Sequence, residues 1–94
     1  MSVSAQNYQI SPDAIAQQVS GETVIMDLAS AVYFGLNSTG SKIWQQLESG
    51  AATSTILAML GDTFEAPHEV LATDLYELLS ELEIAGLITK SPPR

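Results

Sequence analysis

Between Pro67 and Gly86 the apolar residues Leu71, Leu75, Leu78, Leu82 and Ala85 recur at intervals of four, three, four and three. That period keeps them on one side of an α-helix and no other regular structure. Pro67 suits the first turn, where its missing N–H is no loss, and Gly86 suits the position just past the end. In a chain of 94 residues, such a helix claims a large part of one hydrophobic core. Its leucine stripe must be buried, so the rest of the chain has to supply the cover.

Two shorter helices precede it. Ile43, Trp44 and Leu47 lie at helical spacing, with Asn37 or Ser38 as the N-cap and Gly50 past the end, and Trp44 belongs to the core because Ile43 and Leu47 share its face. Thr53 is positioned to cap the next helix, whose apolar face is Ile56, Leu57 and Leu60 and which Gly61 and Asp62 close. After Gly86, Leu87 and Ile88 either pack back or add a short strand, and the tail KSPPR is expected to fray.

The front third favours strands. Tyr8 and Ile10 alternate with polar residues until Ser11, Pro12 and Asp13 interrupt; Ile15 to Val19 then resumes the strand or forms one helical turn. Ser20, Gly21 and Glu22 make a turn. TVIMDL alternates Val24, Met26 and Leu28 against Ile25 and Asp27, and AVYFGL sets Val32, Phe34 and Leu36 against Tyr33 and Gly35. The last two runs are close enough for an antiparallel hairpin. The fold class is therefore α+β of winged helix-turn-helix-like form, a three-stranded antiparallel sheet followed by three helices, in one domain over residues 1–94 with a core at about 8–89.

Composition narrows the function. Eleven acidic residues against Lys42, Lys90 and Arg94 give a formal charge of −8, which repels nucleic acid and removes the basic recognition helix that a winged-helix nucleic-acid binder needs. Without cysteine there are no disulfides and no thiolate chemistry. No apolar run reaches the ~20 residues that span a bilayer, and MSVSAQNYQIS lacks the pattern of a signal peptide, so a cytoplasmic protein away from membranes is expected. His68, the single histidine, reads as a solvated residue at a helix start. With no base for a serine or threonine and no calcium-loop spacing, no catalytic residue, metal ligand or cofactor is assigned and an enzyme is not expected.

Two features remain. If AVYFGL is an edge strand, its unpaired main-chain groups are a template on which an extended peptide can add, and Gly35 leaves a gap in its side-chain cover. Asp74, Glu77 and Glu81 form an acidic stripe on the long helix, which is either a solvated face or the wall of a peptide groove that attracts a basic residue. The same edge can instead pair with a second copy, making the chain a dimerisation domain.

The order of these blocks resembles a known family. Asp27-Leu28, the aromatic strand, Leu36-Asn37, Thr39-Gly40 and Ile43-Trp44, then Asp74 before the leucine-rich helix ending at Gly86-Leu87, are similar to the signature of the PqqD-like proteins, named for pyrroloquinoline quinone synthesis protein D and also called RiPP recognition elements. The resemblance covers roughly residues 8 to 89. It implies a non-catalytic module that captures the leader of a ribosomally made precursor peptide as an added strand. Carried over, the peptide-binding residues are Ala31, Val32, Tyr33, Phe34, Gly35 and Leu36 on the third strand and Asp74, Leu75, Leu78 and Glu81 on the third helix. The implied partners are the precursor peptide and a modifying enzyme: a leader peptidase and a cyclase in lasso-peptide synthesis, or a radical SAM enzyme in quinone-cofactor synthesis. The acidic balance of a free-standing chain favours the lasso-type pathway or another ribosomal-peptide natural-product pathway, with the module a monomer or weak homodimer.

Overall fold

The computed structural model describes residues 6–91. The chain runs β1 (Tyr8–Ile10), β2 (Ala14–Val19), β3 (Glu22–Asp27), β4 (Val32–Leu36), α1 (Ser38–Glu48), α2 (Thr53–Thr63), α3 (His68–Ile84) and β5 (Ile88–Lys90). The strands β2, β3 and β4 form the expected three-stranded antiparallel meander in that order, followed by three helices, so the α+β architecture is as the sequence predicts. One part differs. Tyr8–Ile10 does not belong to the meander but pairs with β5, Tyr8 opposite Lys90, in a separate two-stranded sheet. The Ser11-Pro12-Asp13 break redirects the chain there, with the Ser11 N–H donating to the Leu87 carbonyl at 2.8 Å.

Both hairpins of the meander have readable turns. Val19 and Glu22 are paired, and Ser20 (φ 53°) and Gly21 (φ 83°) between them are both left-handed, the two-residue turn whose twist matches that of the strands. The second loop, residues 28–31, is organised by Asp27. Its carboxylate accepts from the Ala29 N–H and the Ser30 hydroxyl, its carbonyl accepts from the Ala31 N–H, and Ala31 takes a left-handed φ of 59° to rejoin the sheet.

The core lies between the meander and the helices. Ile25 from the central strand, Leu36, Ile43, Trp44, Leu47, Ile56, Leu57 and Leu60 are buried together with Leu71, Leu75, Leu79 and Leu82 of α3. The sheet is tied to α1 by a buried hydrogen bond from the Thr23 hydroxyl to that of Ser41, 2.7 Å. Asn37 caps α1 as expected, its side-chain oxygen accepting from the Gly40 N–H at 2.9 Å. The C-termini of α1 and α3 close with the paired bonds of Schellman motifs at Gly50 and Gly86, the Leu87 N–H reaching the Leu82 carbonyl at 3.0 Å.

Three local expectations are corrected. Thr53 is the first residue of α2 rather than its cap, and its hydroxyl accepts from the Gln6 N–H. Gly61 and Asp62 lie inside α2, which continues to Thr63 because the Phe64 N–H still finds the Leu60 carbonyl. On α3 the residue that completes the core stripe is Leu79, 1% exposed, whereas Leu78 is only half-buried. In the KSPPR tail, Lys90 is part of β5 and the Ser91 N–H donates to the Asn7 carbonyl, so these two are held; residues 92–94, like residues 1–5 of the start, lie outside the described part.

Candidate functional site

Among the described residues, the strand order leaves one long side of β4 without a neighbouring strand. Which groups it offers follows from the ladder. The Leu28 N–H donates to the Asp13 carbonyl at 2.9 Å, one residue beyond the Ala14–Asp27 pair. In an antiparallel ladder this makes Ala14–Asp27 a non-hydrogen-bonded pair, so Glu22, Val24 and Met26 direct their main-chain groups to β2 and Thr23, Ile25 and Asp27 direct theirs to β4. Their partners Leu36, Phe34 and Val32 are therefore engaged with β3. The N–H and C=O groups of Tyr33 and Gly35 point outward from the sheet.

Beside this edge runs a groove of about 480 Å³. One wall is Phe34, Gly35 and Leu36 of β4, and the other is Asp74, Glu77, Leu78 and Glu81 of α3. Asn37, Thr39, Gly40 and Ile43 close one end from the start of α1. Gly40 suits that close approach: a Cβ on it would stand 3.2 Å from the Leu36 Cβ, so Leu36 would have to give by a few tenths of an ångström to admit a side chain. The floor is apolar and the helix rim acidic. Among the described residues, Asp74, Glu77 and Glu81 have no ion-pair or hydrogen-bond partner for their carboxylates, and none of the groove-lining residues is basic.

The structure brings most of the sequence-selected residues together here. Phe34, Gly35, Leu36, Asp74, Leu78 and Glu81 line the groove. Tyr33 lies on the edge with its ring on the opposite, open face, 69% exposed. Val32 begins the strand and Ala31 sits in the turn before it, both exposed and outside the groove. Leu75 is fully buried beneath the groove, where it supports the helix and presents no surface. The groove residues not selected from sequence as peptide-binding are Glu77, named as part of the acidic stripe, and Asn37, Thr39, Gly40 and Ile43, read as helix-forming and as part of the family signature. A glycine in the first turn of a helix, three residues after its cap, was the available signal that another segment approaches closely.

The open face of the meander is also apolar. Register sets Ile15, Met26 and Tyr33 in one cross-strand row and Gln17, Val24 and Gly35 in the next, and Ile15, Val19, Val24 and Tyr33 are all exposed. On the far side of α3 a second cavity of about 310 Å³ is lined by Tyr8, Tyr76, Glu83 and Lys90 among others. Among the described residues no group of three or more carboxylate, histidine or cysteine side chains converges as a metal site would require, and no helix is long and apolar enough to cross a membrane.

The described residues form a small α+β fold in which an open strand edge faces a groove beside a long helix. The family described as coenzyme PQQ synthesis protein D (PqqD) matches residues 22–88. The chain belongs to that family. Among solved structures, TbiB1 in complex with the TbiA(beta) leader peptide is similar with a TM-score of 0.84 and 26% identity, over 90% of this chain and 99% of that one. A lasso peptide synthetase B1 complexed with the leader peptide is similar with a TM-score of 0.80 and 23% identity, over 87% of this chain and 96% of that one, a likeness of fold. No curated protein matches significantly.

Proposed function

We propose that this chain is a non-catalytic module that captures the leader region of a ribosomally made precursor peptide and presents it to modifying enzymes of a lasso-peptide pathway. The observation that carries it is the outward pair of main-chain sites on Tyr33 and Gly35, opening on the groove between β4 and α3. A peptide in extended form adds to β4 as a fourth, antiparallel strand, and its alternate side chains enter the groove. Val32, Phe34 and Leu36 hold the accepting strand in register; Asp74, Leu78 and Glu81 face the ligand; Ala31 and Leu75 act indirectly, through the turn and the core. The leader-bound state of both similar structures supports this reading. The enzyme partners are a leader peptidase and a cyclase, working in the cytoplasm where the precursor is made.

Titration of the purified chain with the leader of a precursor encoded beside it gives micromolar or tighter binding, and amide exchange on binding slows at Tyr33 and Gly35. A leader that binds without protecting those two amides sinks the assignment. The family's description favours a second pathway, pyrroloquinoline quinone synthesis with a radical SAM enzyme; the two are separated by which precursor's leader binds.

A further inference from the structure

Nothing among the described residues explains the glycine at position 35. Its φ lies outside the left-handed region, and a Cβ built on it meets no atom within 4 Å. A glycine in a strand weakens it, and where neither backbone nor neighbours demand one, the demand comes from something that approaches the strand. The space above Gly35 on the open face is bounded by Val24 across the ladder and by Tyr33 two residues back. On the other face the groove has Leu36, Ile43 and Leu78 as floor and three unpaired carboxylates as rim. From Asp74 to Glu81 is about 10 Å along a helix, the length of roughly three residues of extended chain.

A strand held by Tyr33 and Gly35 must alternate between these two environments. Residues directly opposite Tyr33 and Gly35 project over the open face, and those opposite Phe34 and Leu36 project toward the groove. Resting on the proposed docking at β4, we infer that the ligand is a two-faced extended segment, with a large aromatic or branched side chain opposite Gly35 and lysine or arginine at the neighbouring groove-facing positions. The large side chain covers the bare Gly35 Cα and packs on Val24 and Tyr33, as aromatic residues do across from strand glycines. The basic side chain lays its methylene stem on Leu78 and Ile43 and carries its charge to the carboxylate rim. An acidic residue at the same positions meets like charge, with no cation among the described groove-lining residues to offset it, and is rejected.

Fluorescein-labelled nine-residue peptides with strict alternation test this by anisotropy, because a slip of two residues preserves their pattern. One carries lysine on one face and tyrosine and valine on the other; its twins replace lysine by threonine or glutamate, or tyrosine by serine. With two or three exposed charge pairs formed, the lysine peptide binds about five- to tenfold tighter than the threonine twin at low salt, and the glutamate twin binds weakest. That preference vanishes in the Asp74→Asn/Glu77→Gln/Glu81→Gln variant and survives in Asp13→Asn/Glu48→Gln/Glu65→Gln, which removes the same charge from surfaces outside the groove. The tyrosine peptide exceeds its serine twin by about threefold, and Gly35→Leu, whose Cβ meets no atom within 4 Å in the free protein, removes that difference. Equal binding of the lysine and threonine peptides, or a preference that both charge variants retain, overturns the basic half; parity of tyrosine and serine overturns the other. If no peptide of the set, and no leader, protects Tyr33 and Gly35, docking at β4 itself is wrong and the inference goes with it. Leader binding with the expected protection but indifference to both substitutions sinks the inference alone.

Discussion

Proline substitutions at two adjacent positions of β4 separate docking from folding. Position 35 turns its N–H outward and position 34 turns its N–H toward Ile25. The docking edge offers four main-chain groups, the N–H and C=O of Tyr33 and Gly35, which at ~1 kcal/mol net each amount to about 4 kcal/mol of peptide affinity. Gly35→Pro deletes one donor and sets a ring against the incoming strand, disturbing the adjacent bond as well. A loss of about 2 kcal/mol weakens binding roughly 30-fold. The fold tolerates it, since proline is accepted on an edge strand when its N–H faced solvent, and stability changes by less than about 1 kcal/mol. Phe34→Pro instead removes a ladder bond, orphans the Ile25 carbonyl in the core and strips a half-buried ring from the helix face, a loss of about 3 to 4 kcal/mol of stability. Trp44, the single tryptophan and 2% exposed, reports unfolding in denaturant by its emission, and labelled leader reports binding. If Gly35→Pro binds the leader at wild-type strength, or Phe34→Pro leaves the denaturation midpoint in place, the assignment of outward groups is refuted.

Other expectations concern stability. Asn37→Ala deletes the cap of α1 and lowers stability by about 1 kcal/mol, a drop of about 4–8 °C in midpoint for a domain of this size by thermal denaturation. Ala31→Gly relieves the left-handed φ of 59° and raises stability by about 0.5–1 kcal/mol, net of the entropy glycine adds to the unfolded chain; an unchanged or lowered midpoint counts against strain in that turn. Burial, the charge of the neighbouring Glu83, the nearby Tyr76 and a hydrogen bond with Glu83 raise the Tyr8 phenol above its ordinary 10.0. A raised folded value means the stabilisation is whole below pH 10 and is lost as pH climbs from there through the raised value. The wild type therefore loses stability more steeply above pH 10 than Tyr8→Phe, as alkaline denaturation series compare directly.

How far the sequence reveals this protein depends on how local each signal is. The helix α3 is legible from its period alone, but Leu78 and Leu79 are both leucines within one turn of the same face. Which one enters the core depends on what packs there, and only the fold sets Leu79 inward and leaves Leu78 to floor the groove. The edge strand is legible because alternation and turn residues are neighbours in sequence. The pairing of Tyr8–Ile10 with Ile88–Lys90 is not, since no short-range pattern announces a partner some eighty residues away. Ile43 illustrates a third limit: a helix that supports a sheet also closes a groove, and a residue suited to the first role shows no mark of the second.

The β1–β5 clasp brings the two ends of the described chain side by side, Tyr8 against Lys90, and neither strand touches the groove. A domain whose ends leave together can be spliced into a surface loop of a larger enzyme without threading a tether across its own cleft. The architecture is thus portable: ends that leave together let the same fold stand alone or sit within a longer chain.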